Sequence, residues 1–340
     1  MGEEERSIHN LSLPKKAIDF FESEWGIERL HPPQFEAMEP LFNQHNILLA
    51  IPTASGKSLV AYIAILNQLL NHNPGSRAVY IVPLKALASE KFEELKEIGQ
   101  HLGLKIGLGI GDATSEAKNI DDSDILICTS EKLDSLMRSR SELMSNVSVV
   151  VADEFHLLHD ASRGPTLEIN LTRLRTLRPN AQLIALSATV GNCEILAQWL
   201  DATLVQSDWR PVDLEYATLH DRHLEPRKIQ SSSLDSSQNV LSPPRHLEGP
   251  LSHPAWIVVQ DTIEQGGQVL VFVGTRRSAQ SEAKKLSERV KKRFAKEQPE
   301  RLLELEQVAE SLEGRSQTSM GELLANCIRG GVAFHHAGLT

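Results

Sequence analysis

The sequence is poor in cysteine: Cys128, Cys193 and Cys327 are the only ones in 340 residues, far apart and with no CxxC pair. That spacing argues against a zinc site or an iron–sulfur cluster and fits a reducing cytoplasm. Long hydrophobic runs are also missing. No apolar stretch approaches the roughly 18 residues of a membrane span, and the opening MGEEERS is acidic, unlike a signal peptide. A cytoplasmic protein with no membrane partner is the expectation. Nor is there an excess of positive charge, since 35 Lys and Arg stand against 45 Asp and Glu, a net charge of −10. This excludes nucleic-acid binding by bulk charge, but not by a few donors placed along one groove of an acidic body.

What is present is the composition of a soluble globular protein, 41% hydrophobic and 24% charged, at a length that suits two domains. Short Val-, Ile- and Leu-rich runs at 47–51, 79–82, 125–128, 147–152 and 183–186 read as strands buried on both faces. Between them, residues 59–70 and 84–98 carry apolar side chains three and four apart, the pattern of amphipathic helices. Strand–helix alternation at this spacing predicts an α/β protein, a parallel sheet with helices on both sides. The pattern weakens after Trp209-Arg210-Pro211, and residues 222–254, rich in Ser, Pro and His, read as a long link. A second alternation opens with a strand-like run at 269–273. It continues through a charged helical stretch from Ser278 to about Glu313, broken at Pro299, and ends in an apolar run at 331–334. The chain therefore reads as two copies of one architecture, the second incomplete, divided as 1–207 and 208–340.

The apolar run at 47–51 leads through a small loop into Gly56-Lys57-Ser58 and then a helix. Strand, loop, GKS and helix form the setting of a phosphate-binding loop, in which backbone N–H groups and the helix dipole meet the phosphates. Lys57 is placed for the β- and γ-phosphates, and the Ser58 hydroxyl for Mg²⁺. One position departs from the pattern: Ile51 stands five before Gly56, where glycine is usual. A second element is the run 149–152 passing directly into Asp153-Glu154-Phe155-His156. Two adjacent acids alone more often make a solvated turn. At the end of a buried strand, with a phosphate loop upstream, Asp153 suits the Mg²⁺ shell and Glu154 suits orienting and deprotonating a water. Together they point to nucleoside triphosphate hydrolysis, with ATP and Mg²⁺ as cofactors.

The order of motifs resembles the Ski2-like branch of the superfamily 2 helicases, nearest to archaeal DNA-repair members related to the helicase domain of DNA polymerase theta. The likeness rests on GIERLHPPQFEAM (26–38), IPTASGKS (51–58), VPLKALASEKFEE (82–94), TSEKLDSLMRSR (129–140) and ADEFHLLHD (152–160). It continues with RGPTLEI (163–169), LSATVGN (186–192), SDWRPVDL (207–214), VFVGTRR (271–277) and GVAFHHAGL (331–339). It covers nearly the whole chain. The resemblance implies a RecA-like motor domain followed by the start of a second, and 3′-to-5′ movement on single-stranded or forked DNA. It implies adenine readout by Gln34, and a phosphate loop completed by Thr53, Ala54, Ser55 and Gly56 around Lys57. His156 would join the catalytic set of Lys57, Asp153 and Glu154. Ser187, Ala188 and Thr189 would couple nucleotide state to the nucleic-acid groove. Lys85, Thr129 and Ser130 would grip a backbone from the first domain, and Thr275, Arg276, Arg277, His335 and His336 from the second. Each has a plainer alternative: Gln34 as a helix-start residue, Ser187–Thr189 as a local turn, Lys85 and Arg276 as solvated side chains, His335 as a core histidine. Arg163 and Glu168 read as structural or groove-lining, both open. The family continues for several hundred residues, and its arginine-bearing QxxGRxGR helix does not occur in these 340 residues. The expectation is therefore the N-terminal portion of a DNA helicase. An RNA helicase and a nucleotide-dependent clamp without turnover are the alternatives.

Overall fold

The computed structural model describes residues 3–111, 117–118, 120–188, 191–227, 242–314 and 318–336. Thr189 lies outside them. The chain divides into two compact units, Met1–Leu214 and Glu215–Thr340.

The first unit is built on one sheet. Its strands are β1 (Asn46–Ala50), β2 (Arg77–Val82), β3 (Ile106–Gly109), β4 (Ala117–Lys118), β5 (Ile125–Thr129), β6 (Val147–Ala152), β7 (Gln182–Ser187) and β8 (Ala202–Gln206). They lie in the order β4-β3-β5-β2-β6-β7-β1-β8, all parallel except β4, which runs antiparallel to β3. Successive side chains of a strand point to opposite faces, so each strand feeds two cores. Leu49, Tyr80, Val151 and Ile184 enter one cluster, roofed by the helices Lys57–Leu66 and Lys85–Leu102. Leu48, Val79, Val150 and Leu183 enter the other, under Gly164–Leu177 and Cys193–Leu200. Burial on both faces is why these strands show as continuous apolar runs. The fold of this unit is the α/β architecture that the alternation predicts.

The second unit holds a three-stranded antiparallel sheet of β9 (Tyr216–His220), β10 (His223–Arg227) and β11 (Arg245–His246), with helices Pro254–Glu264, Arg276–Glu297, Pro299–Glu313 and Ser319–Ile328. β9 and β10 are joined by Asp221 and Arg222, both with positive φ, as a tight hairpin requires. Two sequence expectations are corrected here. Part of the link expected at 222–254 is the hairpin strand β10. The runs at 269–273 and 331–334 form no strand. A buried parallel strand needs neighbours on both edges, and among the described residues no strand pairs with either run. Leu270 and Phe272 stand 78% and 87% exposed. The break at Pro299 falls where the sequence places it, between two helices.

Candidate nucleotide site and nucleic-acid edge

The sheet order sets the site. Along the carboxyl edge the strand ends run β5, β2, β6, β7, β1, carrying in turn Thr129, the segment before Lys85, Asp153, Ser187 and the phosphate loop. The carboxyl edge is where parallel sheets bind ligands.

The loop after β1 is held from three sides. Ile51 is buried and donates its N–H to the Ser187 carbonyl at 3.2 Å, tying the loop to β7. Thr53 and Ala54 are exposed, and Ala54 has φ of 65°, a left-handed conformation that a residue with a Cβ adopts only under constraint. Ser55 is fully buried, and its hydroxyl donates to the Trp209 carbonyl at 3.2 Å. Gly56 turns the chain into the helix Lys57–Leu66 with φ of 73°, and a Cβ there would run into the Gln34 amide. Gln34 is 3% exposed. Its Nε2 donates to the Ser55 and Gly56 carbonyls at 3.3 and 2.9 Å, and its Oε1 accepts the His31 N–H at 2.7 Å. Both ends of the amide are engaged with the loop and the helix start, where the resemblance implies adenine. His31 in turn lies against the Trp209 ring, centroids 4.6 Å apart.

Lys57 is buried at the helix start, and its Nζ donates to the Ile51 and Pro52 carbonyls, each at 3.2 Å. Burial pulls its pKa down. The Glu154 and Asp153 carboxylates oppose that shift, and the Arg210 cation adds to it. Asp153 ends β6, with Oδ2 accepting the Tyr80 hydroxyl at 2.9 Å and Oδ1 accepting the Glu154 N–H at 2.8 Å. Its pKa is pushed up by burial, against the pull of those two hydrogen bonds. Glu154 has φ of 51°, a second strained residue at the site. Its Oε2 lies 3.2 Å from His156 Nδ1, and the Ala188 N–H points at the same nitrogen from 3.5 Å. One nitrogen cannot serve both: protonated it donates to Glu154, unprotonated it accepts from Ala188. The two motifs thus meet at one ring nitrogen.

Oxygen donors on one hydroxyl and one carboxylate fit Mg²⁺, which binds through few protein groups and keeps its waters and phosphates. Ser58 and Asp153 offer such a set. Among the described residues no group of three or more His, Cys, Asp or Glu could hold a metal alone.

Among the residues expected to meet nucleic acid, Lys85 opens the exposed start of its helix. Thr129 and Ser130 are buried. Thr129 Oγ1 caps the helix Ser130–Ser139 by accepting the Lys132 N–H at 3.3 Å, and the Ser130 carbonyl accepts from Asn170 at 2.7 Å. Their hydrogen bonds are structural here, although Ser130 also lines a small cleft with Pro83, Glu131, Asp153, Glu154 and Arg163. That placement makes Arg163 cleft-lining. Asn170, Tyr62, Tyr80 and His31 are site neighbours that sequence reasoning missed, because a buried tyrosine or asparagine carries no motif of its own. In the second unit Thr275 caps the helix Arg276–Glu297, its Oγ1 accepting the Ser278 N–H at 3.1 Å. Arg276 and Arg277 are exposed in the first turn, at the positive end of the helix dipole, where cations are disfavoured unless they meet an anion. His335 is exposed, and His336 Nε2 is hydrogen-bonded to Gln280 Nε2 at 2.8 Å.

Comparison with known proteins gives this arrangement its family. Residues 31–196 match the DEAD/DEAH box helicase family. This stretch is a DEAD/DEAH helicase domain. The chain is 41% identical over 341 residues to the ATP-dependent DNA helicase Hel308 of Methanocella arvoryzae, covering 98% of this chain and 43% of that protein. It is 42% identical over 315 residues to Hel308 of Pyrococcus horikoshii (92% of this chain, 40% of that one) and 45% identical over 320 residues to Hel308 of Thermococcus kodakarensis (93% and 26%). The chain thus spans less than half the length of these relatives. The DEAD/DEAH domain contains the phosphate loop, the Asp153–His156 motif and Ser187 within its matched residues. Among the described residues no helix is long and apolar enough to cross a membrane.

Proposed function

We propose that the chain is the N-terminal motor portion of an ATP-dependent DNA helicase that moves 3′ to 5′ on single-stranded or forked DNA, as in fork repair. In this reading 1–207 is a complete motor domain and 208–340 the first part of a second. The observation that carries the proposal is the convergence of Lys57, Asp153 and Glu154 at the carboxyl edge of one parallel sheet, with Lys85 and Ser130 farther along the same edge. The names of the relatives support DNA as the polymer.

Lys57 leaves the Ile51 and Pro52 carbonyls and turns to the β- and γ-phosphates, a short exchange of one set of oxygens for another. Ser58 and Asp153 would hold Mg²⁺, whose chemistry there would be to offset negative charge on the phosphate oxygens. Glu154 orients the attacking water and accepts its proton. Protonation of Glu154 changes the group that faces His156 Nδ1, the nitrogen that the Ala188 N–H also approaches, and so couples the site to the end of β7. Lys85, Ser130, Thr275, Arg276, Arg277 and His335 contact phosphates rather than bases, which suits a motor indifferent to sequence.

The test is nucleotide binding by the chain together with ATPase rates in single-stranded DNA and in RNA. Binding of Mg-ATP with stimulation by DNA is expected. Stimulation by RNA alone would replace the DNA reading with that of an RNA helicase, and nucleotide-dependent DNA binding without hydrolysis would leave a clamp.

A further inference from the structure

Behind the proposed metal pair lies a line of buried polar contacts that the hydrolysis mechanism does not use. Tyr80 on β2 is fully buried and donates its hydroxyl to Asp153 Oδ2 at 2.9 Å. Tyr62, in the helix Lys57–Leu66 and also buried, donates to Glu94 Oε2. The two rings lie 6.2 Å apart. Glu94 is gripped by Lys91 Nζ at 3.0 and 3.1 Å, and both belong to the helix Lys85–Leu102.

Counting donors orders the protons. Each phenol has one O–H, and both are committed to carboxylates. Tyr80 therefore pins one oxygen of Asp153 from the buried side.

We propose that Tyr80 and Tyr62 form a strut, anchored on Glu94 and Lys91, that positions Asp153 as a preset oxygen donor for the nucleotide-bound cation. They are positioning residues, touching neither nucleotide nor metal. The proposal rests on the phosphate-loop reading above. It also joins Asp153 to the helix that Lys85 opens.

The experiment measures binding of a fluorescent ATP analogue to the 340-residue chain in Mg²⁺ and in EDTA, with melting temperatures alongside. Tyr80→Phe removes one hydrogen bond to a charged group. It should reduce the tightening produced by Mg²⁺ by roughly tenfold, with affinity in EDTA changed by less than about twofold. Tyr62→Phe should lose a smaller share of that tightening. The double variant should lose no more than Tyr80→Phe alone, because groups acting as one strut are not additive. A Tyr80→Phe chain with the full Mg²⁺ effect would overturn the strut, whether its melting temperature is unchanged or lowered, since lowered stability alone marks core packing. Independent, additive losses would also overturn it. Lys57→Ala separates the two readings: if the unaltered chain and this variant bind nucleotide equally, the phosphate-loop assignment itself is wrong and the strut falls with it.

Discussion

In the proposed site Lys57 is free to meet a ligand because the fold does not lock its side chain. Its ammonium rests on two loop carbonyls that solvent or a nucleotide can replace, so Lys57→Ala removes the phosphate partner at little structural cost. Nucleotide affinity should fall by about a hundredfold or more, with the melting temperature nearly unchanged; fluorescent-nucleotide titration and calorimetry check both. Glu154→Gln keeps the shape but cannot accept a proton. Mg-ATP binding should persist while single-turnover hydrolysis falls by roughly 10²–10⁴. A parallel loss of affinity would make Glu154 a binding group instead. Asp160 illustrates a carboxylate with a purely structural task. Its Oδ1 accepts the Ser162 hydroxyl, the Ser162 N–H and the Arg163 N–H just before the helix Gly164–Leu177, and these bonds hold its pKa down to about 2. A depressed folded pKa stabilises above the ordinary carboxylate value near 3.8 and is lost as pH falls through about 2. The difference in urea midpoint between the protein and Asp160→Ala should therefore be full at pH 5 and above and shrink from about pH 4 to 2.

At the scale of the element, Gly56 is where the loop, the helix start and Gln34 constrain one another. Gly56→Ala would place a Cβ at positive φ and against an amide that three hydrogen bonds hold in place, so relief of the clash breaks some of them. A destabilisation of roughly 2 kcal/mol or more is expected, with nucleotide binding lost along with it, read by denaturant unfolding and titration. The same elements show what could be read from sequence. β2, β5, β6 and β7 announce themselves because both their faces are buried and every position is apolar. β3 is four residues long with two glycines, β8 is half exposed, and the β9–β10 hairpin is polar on its outward face, so none carries a period strong enough to see. The proposed roles of Lys57, Asp153 and Glu154 can be read locally because their motifs sit against apolar runs. The partners of Gln34, the cap made by Thr129 and the Tyr80–Asp153 contact cannot. Each depends on which strands lie side by side, and that order is set by packing far along the chain.

On the scale of the whole molecule the two units differ in how well each covers its own apolar surface. Met1–Leu214 closes its sheet between two helical layers with extensive cores on both faces. The clusters of Glu215–Thr340 are small, built around Trp256, Val259, Leu286 and Val290 and around Ala283, Cys327 and Phe334. The run at 269–273 has the composition of a central strand, yet Leu270 and Phe272 face water and nothing described pairs with it. An unpaired β-prone segment of this kind is a site of strand addition between chains. The 340-residue chain should therefore self-associate as its concentration rises, while residues 3–214 alone stay monomeric and keep their nucleotide affinity. Replacing Leu270 and Phe272 together by lysine should suppress the association without lowering the melting temperature of the first unit, because neither side chain contributes to a core. Sedimentation velocity over a tenfold concentration range distinguishes the outcomes. If the double variant associates as strongly as the unaltered chain, the sticky surface lies elsewhere.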